Sequence, residues 1–428
     1  MDDASEEGKP AALALRTIVS HQLMPTTNEE QALYLLLQVA PAADLPHIRL
    51  PLNVCLVLDR SASMGGTRLQ QVKEAARQVI DMLQPDDALG VVVFSDRADV
   101  LLPSQRTVDK PRAWESLNDV QDGGGTEILQ GLLAGLREVE RCRTATSINA
   151  LILLTDGQTY GDEPGCLEQA RWAGSRQISL GPMGIGDDWN DSLLDDMASL
   201  SGGSSTYIDS PRRVVDAFCG AIQHLKAAVA RQVTISVVPS PGVLLREVFL
   251  VVPHIQRLPL ADDTPARTAL LGALCADPAR VLLLEFRVGA SMVGRQRLAQ
   301  LTVRADIPAQ LNRRSWSALD LTAGFSPSAR STTEVPPAII AVLSKLAIFK
   351  IQEKMARDVD AGDIASATRR LEAMATRLMS LGETELARST LLEAGRLVHS
   401  GALSAEGRKK IRYGTRALTT LPQELYHG

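Results

Sequence analysis

Asp59, Ser61 and Ser63 alternate along a short segment, and each offers an oxygen donor. The apolar run Leu52–Leu58 leads into them. Thr126 follows a Gly123-Gly124-Gly125 turn, and Asp156 follows a second apolar run, Ile148–Leu154, and precedes Gly157. Three hydroxyls and two carboxylates are the donors a hard divalent cation takes, in octahedral geometry with several waters retained. In an extended segment every second side chain falls on one side, so the Asp-x-Ser-x-Ser spacing aims its donors at one point. The three glycines permit the bends that carry Thr126 to the same place. Two carboxylates balance the ion's charge; if they held it through water, it would stay electrophilic toward an incoming acidic group. Singly the pieces are ordinary, since Asp-x-Ser-x-Ser can cap a helix and Gly-Gly-Thr and Asp-Gly make turns. Their order, each after the right element, is what is specific.

In that order the pieces resemble the metal-ion-dependent adhesion site, and residues 50–230 resemble the von Willebrand factor type A family. The resemblance implies that Ser61 and Ser63 coordinate Mg²⁺ (or Mn²⁺ or Ca²⁺) directly and that Thr126 joins chiefly when ligand is engaged. It implies that Asp59 and Asp156 act through bound water. The remaining position is then filled by water or by an Asp or Glu carboxylate of a protein partner. The expected function is metal-dependent protein binding by an adaptor, not catalysis. Arg60, Met64 and Asp162 are expected near the mouth of the site. Intracellular bacterial relatives often work beside AAA-type ATPases, so such an ATPase or its client is an expected partner.

The elements that must position these residues are legible as periodicity. Residues 50–230 alternate continuously apolar strands (52–58, 88–95, 148–154, 178–185, 205–208) with amphipathic helices (68–83, 109–118, 127–142, 165–175, 191–200, 211–229). A short edge strand is expected near 98–102. That pattern predicts an α/β, doubly wound, mostly parallel Rossmann-like sheet with helices on both faces. The flanks, 1–49 and 231–322, carry β runs and are expected to form one β-sandwich into which the α/β unit is inserted. This arrangement resembles bacterial relatives of the family and, more distantly, inter-alpha-trypsin-inhibitor heavy chains. Residues 323–337 read as a Ser/Thr/Pro-rich linker. Residues 338–428 read as a C-terminal helical bundle whose Leu, Ala and Met stripes are core, and whose removal is expected to leave the remainder folded.

Composition excludes several classes. The 428 residues suit two or three domains, and 45% hydrophobic with only 4% aromatic residues means an aliphatic core. A net charge of −5 without a long basic run gives no nucleic-acid footprint. No run of about 18 apolar residues occurs, so membrane insertion is not expected. The first seven residues are acidic and lack signal-peptide order. Five scattered cysteines (Cys55, Cys142, Cys166, Cys219, Cys275) read as reduced thiols, and a cytoplasmic location is expected. The six histidines form no zinc pattern, and Ser61 lies in no Gly-x-Ser-x-Gly elbow. Asp187, Asp188, Asp191, Asp195 and Asp196 read as the solvated start of a helix. Two rival readings stand: a metal-dependent hydrolase, which lacks a histidine near the three motif loops, and a scaffold merely stiffened by its metal.

Overall fold

The computed structural model describes residues 12–42, 49–106, 109–159, 161–275, 277–290, 292–308, 314–329 and 334–419. The chain opens with strands β1 (Leu13–Val19), β2 (Leu23–Pro25) and β3 (Gln31–Pro41). An alternating segment follows: β4 (Leu52–Asp59), α1 (Thr67–Met82), β5 (Ala88–Phe94), β6 (Ala98–Arg106), α2 (Lys110–Asn118) and α3 (Ile128–Cys142). It continues with β7 (Ile148–Thr155), α4 (Glu163–Ser175), β8 (Ile178–Ile185), α5 (Asp191–Ser201), β9 (Thr206–Ile208) and α6 (Val214–Lys226). Then come β10 (Ala228–Pro239), β11 (Val243–Val252), β12 (Gln256–Arg257), β13 (Ala261–Asp263), β14 (Ala266–Cys275), β15 (Arg280–Val288), β16 (Gly294–Asp306) and β17 (Arg314–Ser326). Helices α7 (Pro337–Asp360), α8 (Ile364–Ser380), α9 (Thr384–Ser400) and α10 (Ala405–Arg416) complete the described chain.

Two compact units result. One contains residues 1–50, 227–253 and 257–339; the other contains 51–226, 254–256 and 340–428. The first is the expected sandwich, with sheet orders β1-β3-β15-β11-β12 and β13-β14-β10-β16-β17-β2. Its register explains why residues from both flanks of the chain are needed. β3 pairs antiparallel with β15, setting Leu33 opposite Phe286, Leu35 opposite Leu284 and Leu37 opposite Leu282. Because side chains alternate along a strand, these six point one way, into a core shared with Ile235 and Val237 of β10 and Leu301 and Val303 of β16. β17 runs on to Ser326, past the Ala323 at which the Ser/Thr/Pro-rich stretch begins.

The second unit carries a six-stranded sheet ordered β6-β5-β4-β7-β8-β9. All neighbours are parallel except β6, which runs antiparallel to β5 and is longer than the expected edge strand. β4, β5 and β7 are buried at every position, as continuously apolar strands covered on both faces must be. The chain moves from β4 to β5 on one side and from β7 to β8 on the other. The crevice at the carboxyl ends of β4 and β7 is therefore the topological switch point, where ligands gather in open α/β sheets.

α8 and α9 form a hairpin sealed by Leu371, Met374 and Leu378 against Ala387, Ala394 and Leu397. Leu391 and Leu392 of α9 face solvent instead, so not every leucine of this stripe is core. Glu393 accepts hydrogen bonds from the Ser404 backbone N–H (2.7 Å) and hydroxyl (2.8 Å), fixing the turn into α10, whose N-terminus Ser404 caps through the Gly407 N–H.

α10 packs against α5 and the loop after β8 through a charged and aromatic seam. Arg412 reaches Asp191 (3.2 Å) and Asp195 (2.5 Å), and Arg416 reaches Asp195 (2.5 Å). Tyr413 donates to Asp195 (3.0 Å) and lies 5.9 Å from the Trp189 ring and 5.6 Å from Tyr207. The acidic stretch is thus not a solvated helix start: Asp191 and Asp195 are buried. Burial alone pushes the Asp195 carboxyl up, but Arg416 and Arg412 outweigh it and hold it below the usual carboxylate range. Among the described residues, no helix is long and apolar enough to cross a membrane.

Candidate metal centre

The end of β4 places Asp59 at the switch point, fully buried. Its Oδ1 accepts the Ser61 backbone N–H at 2.8 Å, which folds the segment back on itself. Ser61 is extended, but residues Ala62–Met64 form a 3-10 turn. The Asp-x-Ser-x-Ser donors therefore converge through a tight turn, not through the strand-like alternation the spacing suggests. Nor does the segment cap the following helix: α1 starts after Gly66 with no side-chain cap.

Convergence is direct for three of the five predicted residues. Ser61 Oγ and Ser63 Oγ are 3.1 Å apart, and Ser63 Oγ donates to Asp156 Oδ1 at 2.7 Å. Thr126 arrives by the glycine turn. Gly124 takes a φ of +85°, a region L side chains rarely adopt, and its carbonyl accepts the Ala62 N–H while Gly123 N–H donates to the Arg60 carbonyl at 2.8 Å. The turn is also tied to the end of β5, where Asp96 accepts the Gly125 N–H at 2.8 Å. Thr126 Oγ1 ends 2.8 Å from the point where a Cβ on residue 157 would stand, so only glycine after Asp156 admits it. The five oxygen-bearing side chains are brought to one crevice, and hydroxyl and carboxylate oxygens suit a hard divalent cation. No cluster of three or more His, Cys, Asp or Glu exists among the described residues, so the hydroxyls are what such an ion would depend on.

Two further residues belong to the site. Thr155 Oγ1 donates to Asp59 Oδ2 at 2.6 Å. The signal for it is register: Leu154 pairs with Leu58, which sets the next residue of β7 level with Asp59. Arg68, on the first turn of α1, places Nη1 2.5 Å from Asp156 Oδ2 and 3.1 Å from the Ser63 carbonyl. Nothing in the linear pattern marks it, because the approach depends on how α1 leaves the loop. Burial raises the Asp59 carboxyl to about 6; hydrogen bonds from Thr155 and Ser61 oppose that rise, and the Asp156 charge adds to it.

Of the residues expected at the mouth, Arg60 is there, half-exposed and paired with Asp99 at 3.2 Å. Met64 is completely buried. Asp162 is occupied in accepting from Thr159 (2.6 Å) and from the Leu129 N–H of α3 (3.0 Å), which makes it an anchor for the first turn of that helix.

Residues 53–216 match the family profile of the von Willebrand factor type A domain, and 337–421 match that of the Sll0103-like C-terminal alpha-helical domain. The uncharacterized protein sll0103 of Synechocystis sp. is 31% identical over 296 residues, spanning 67% of this chain and 68% of the relative. The chain belongs to the von Willebrand factor type A family. Domains of this family generally mediate metal-dependent protein–protein interactions, and their adhesion sites bind divalent cations. Human inter-alpha-trypsin inhibitor heavy chain H4 is 31% identical over 197 residues, 42% of this chain but only 21% of that protein, so the chain spans about a fifth of it. A solved von Willebrand factor type A structure from Catenulispora acidiphila shares the fold at a TM-score of 0.78, over 96% of this chain and 98% of that one, at 17% identity.

Proposed function

We propose that this protein is a metal-dependent protein-binding adaptor. In this reading Ser61, Ser63 and Thr126 hold a Mg²⁺ ion (or Mn²⁺ or Ca²⁺), and Asp59 and Asp156 steady it through water. The observation that carries the reading is the contact of Ser61, Ser63 and Asp156 at the switch point, with Thr126 locked against Gly157. When bound, the ion supplies an electrophilic position for a partner's Asp or Glu carboxylate. The chain's own residues do the rest. Thr155 and the Ser61 N–H orient Asp59, and the glycine turn carries Thr126. An AAA-type ATPase or its client is the partner class we favour. A reducing, cytoplasmic setting agrees with five free cysteines, two of them (Cys55 and Cys166) raised by burial, then by neighbouring carboxylates, into a range where they stay protonated and inert.

Calorimetric titration of Mg²⁺ tests the site. One-to-one binding by the wild type that is lost in Asp156→Ala supports it, and should come with stabilisation of about 2.7 kcal/mol at a hundredfold excess over Kd. Capture of a partner that disappears in chelator, while circular dichroism is unchanged, separates the adaptor from a scaffold stiffened by its metal. Wild-type protein that binds neither Mg²⁺ nor Mn²⁺ would sink the reading.

A further inference from the structure

Arg68 occupies a position that helix physics disfavours. It is the second residue of α1, where the helix dipole presents its positive end, and no acidic residue stands in that first turn to offset it. What holds it is the metal site. Its guanidinium meets Asp156 Oδ2 at 2.5 Å and the Ser63 carbonyl at 3.1 Å, while the Asp156 side chain has no exposed surface and that of Arg68 is 36% exposed. A buried carboxylate without a compensating charge is costly, so in the protein without its ion Arg68 supplies the positive charge that the ion would otherwise bring. The guanidinium also rests against the loop after β8, where a side chain would crowd it. Its second nitrogen lies 3.2 Å from where a Cβ on residue 186 would be, and that residue is Gly186, at a φ of +70°, in the loop after β8.

We propose that Arg68 is a tethered counter-cation of the adhesion site, exchanging with the divalent ion on Asp156 and thereby setting the metal affinity. The inference rests on the metal reading above and adds a residue that the motif does not contain. In the metal-free protein the guanidinium holds the Asp156 carboxylate in place. With an ion bound, Arg68 would release Asp156 and stay beside Gly186 at the mouth as a second positive group for an acidic partner. The exchange is on Asp156 and not on Asp59, whose oxygens accept from Thr155 and the Ser61 N–H and keep lone pairs for water.

The test is calorimetric titration of Mg²⁺ and Mn²⁺ into the full chain as wild type, Arg68→Met, Arg68→Gln and Arg68→Lys, with melting followed in chelator and in saturating Mg²⁺. Removing a competing unit charge so close to the ion should tighten binding roughly tenfold in the Met and Gln variants. The Lys variant keeps the charge and should stay within a few-fold of wild type. In chelator the Met and Gln variants should melt lower than wild type, and saturating metal should close that gap. A merely structural arginine would lower melting with and without metal and would not tighten binding. Unchanged or weaker affinity in folded Gln or Met variants overturns the exchange while leaving the metal site standing. If the wild type itself binds no ion, the metal reading falls and the exchange falls with it. Should the Met variant fail to fold, the Gln variant, which keeps a hydrogen-bond donor, decides.

Discussion

At the scale of single residues, the site is governed by two contacts that the motif does not name. Thr155 donates to Asp59 Oδ2 at 2.6 Å in a fully buried setting. Thr155→Val should therefore cost about 1–3 kcal/mol, read as a lower urea midpoint in chelator, because a buried acceptor loses its partner. Gly157 matters for space: a methyl there meets Thr126 Oγ1. Gly157→Ala should weaken Mg²⁺ binding about tenfold by pushing Thr126 out of the crevice. Combined with Thr126→Ala it should add little, since both changes remove the same hydroxyl. Full additivity in that cycle would mean Gly157 acts elsewhere.

At the scale of elements, α10 is the part of the structure with the most to lose. Asp195 faces Arg412, Arg416, Tyr413 and Ser205 together. Asp195→Ala leaves two guanidinium groups beside a buried gap, and a loss of about 3 kcal/mol is expected in equilibrium unfolding. Lys409 gives the same docking a pH signature. It is fully buried, its Nζ donates to the Asp187 carbonyl at 2.5 Å, and it lies 4.2 Å above the Trp189 ring. Burial lowers it to about 8, against partial support from Asp191, Asp187 and Asp188. Because the folded value is depressed, the unfolded chain holds a proton between about pH 8 and 10.5 that the folded chain has released. Stability therefore rises with pH across that window. Lys409→Met should remove that rise, so the wild type should gain about 2 kcal/mol on the variant between pH 7.5 and 9.5. A constant difference across those pH values would show that Lys409 keeps its proton.

At the scale of the whole molecule, chain order and packing divide the protein differently. The sandwich needs strands from before and after the α/β segment, and the α/β unit includes helices that begin more than a hundred residues beyond its last strand. Truncation after residue 403 removes α10 and uncovers Trp189 and Tyr207. The melting temperature of the α/β unit should fall by several degrees, since each kcal/mol is worth about 2–4 °C in a domain of this size. Removal of all the C-terminal helices, expected to leave the remainder folded, should then lower its melting temperature without unfolding it. An unchanged melt in the truncated chain would return them to the status of an appendage.

The sequence by itself determined the α/β sheet, the sandwich flanks and the five oxygen-bearing side chains, because these are written in local terms. Continuous apolar runs demand strands covered on both faces, helical spacing demands a buried stripe, and polar residues immediately after such strands fall at the sheet's carboxyl end. Tertiary structure alone decided the rest. Whether Asp191 and Asp195 meet water or arginine depends on a helix two hundred residues away, and no local pattern encodes that pairing. Met64 reads as a mouth residue until the 3-10 turn buries it. Arg68 carries no mark in the linear pattern, and only the packed structure sets it against Asp156. Periodicity reports which face of an element is apolar; which charge meets which is fixed only when the elements pack.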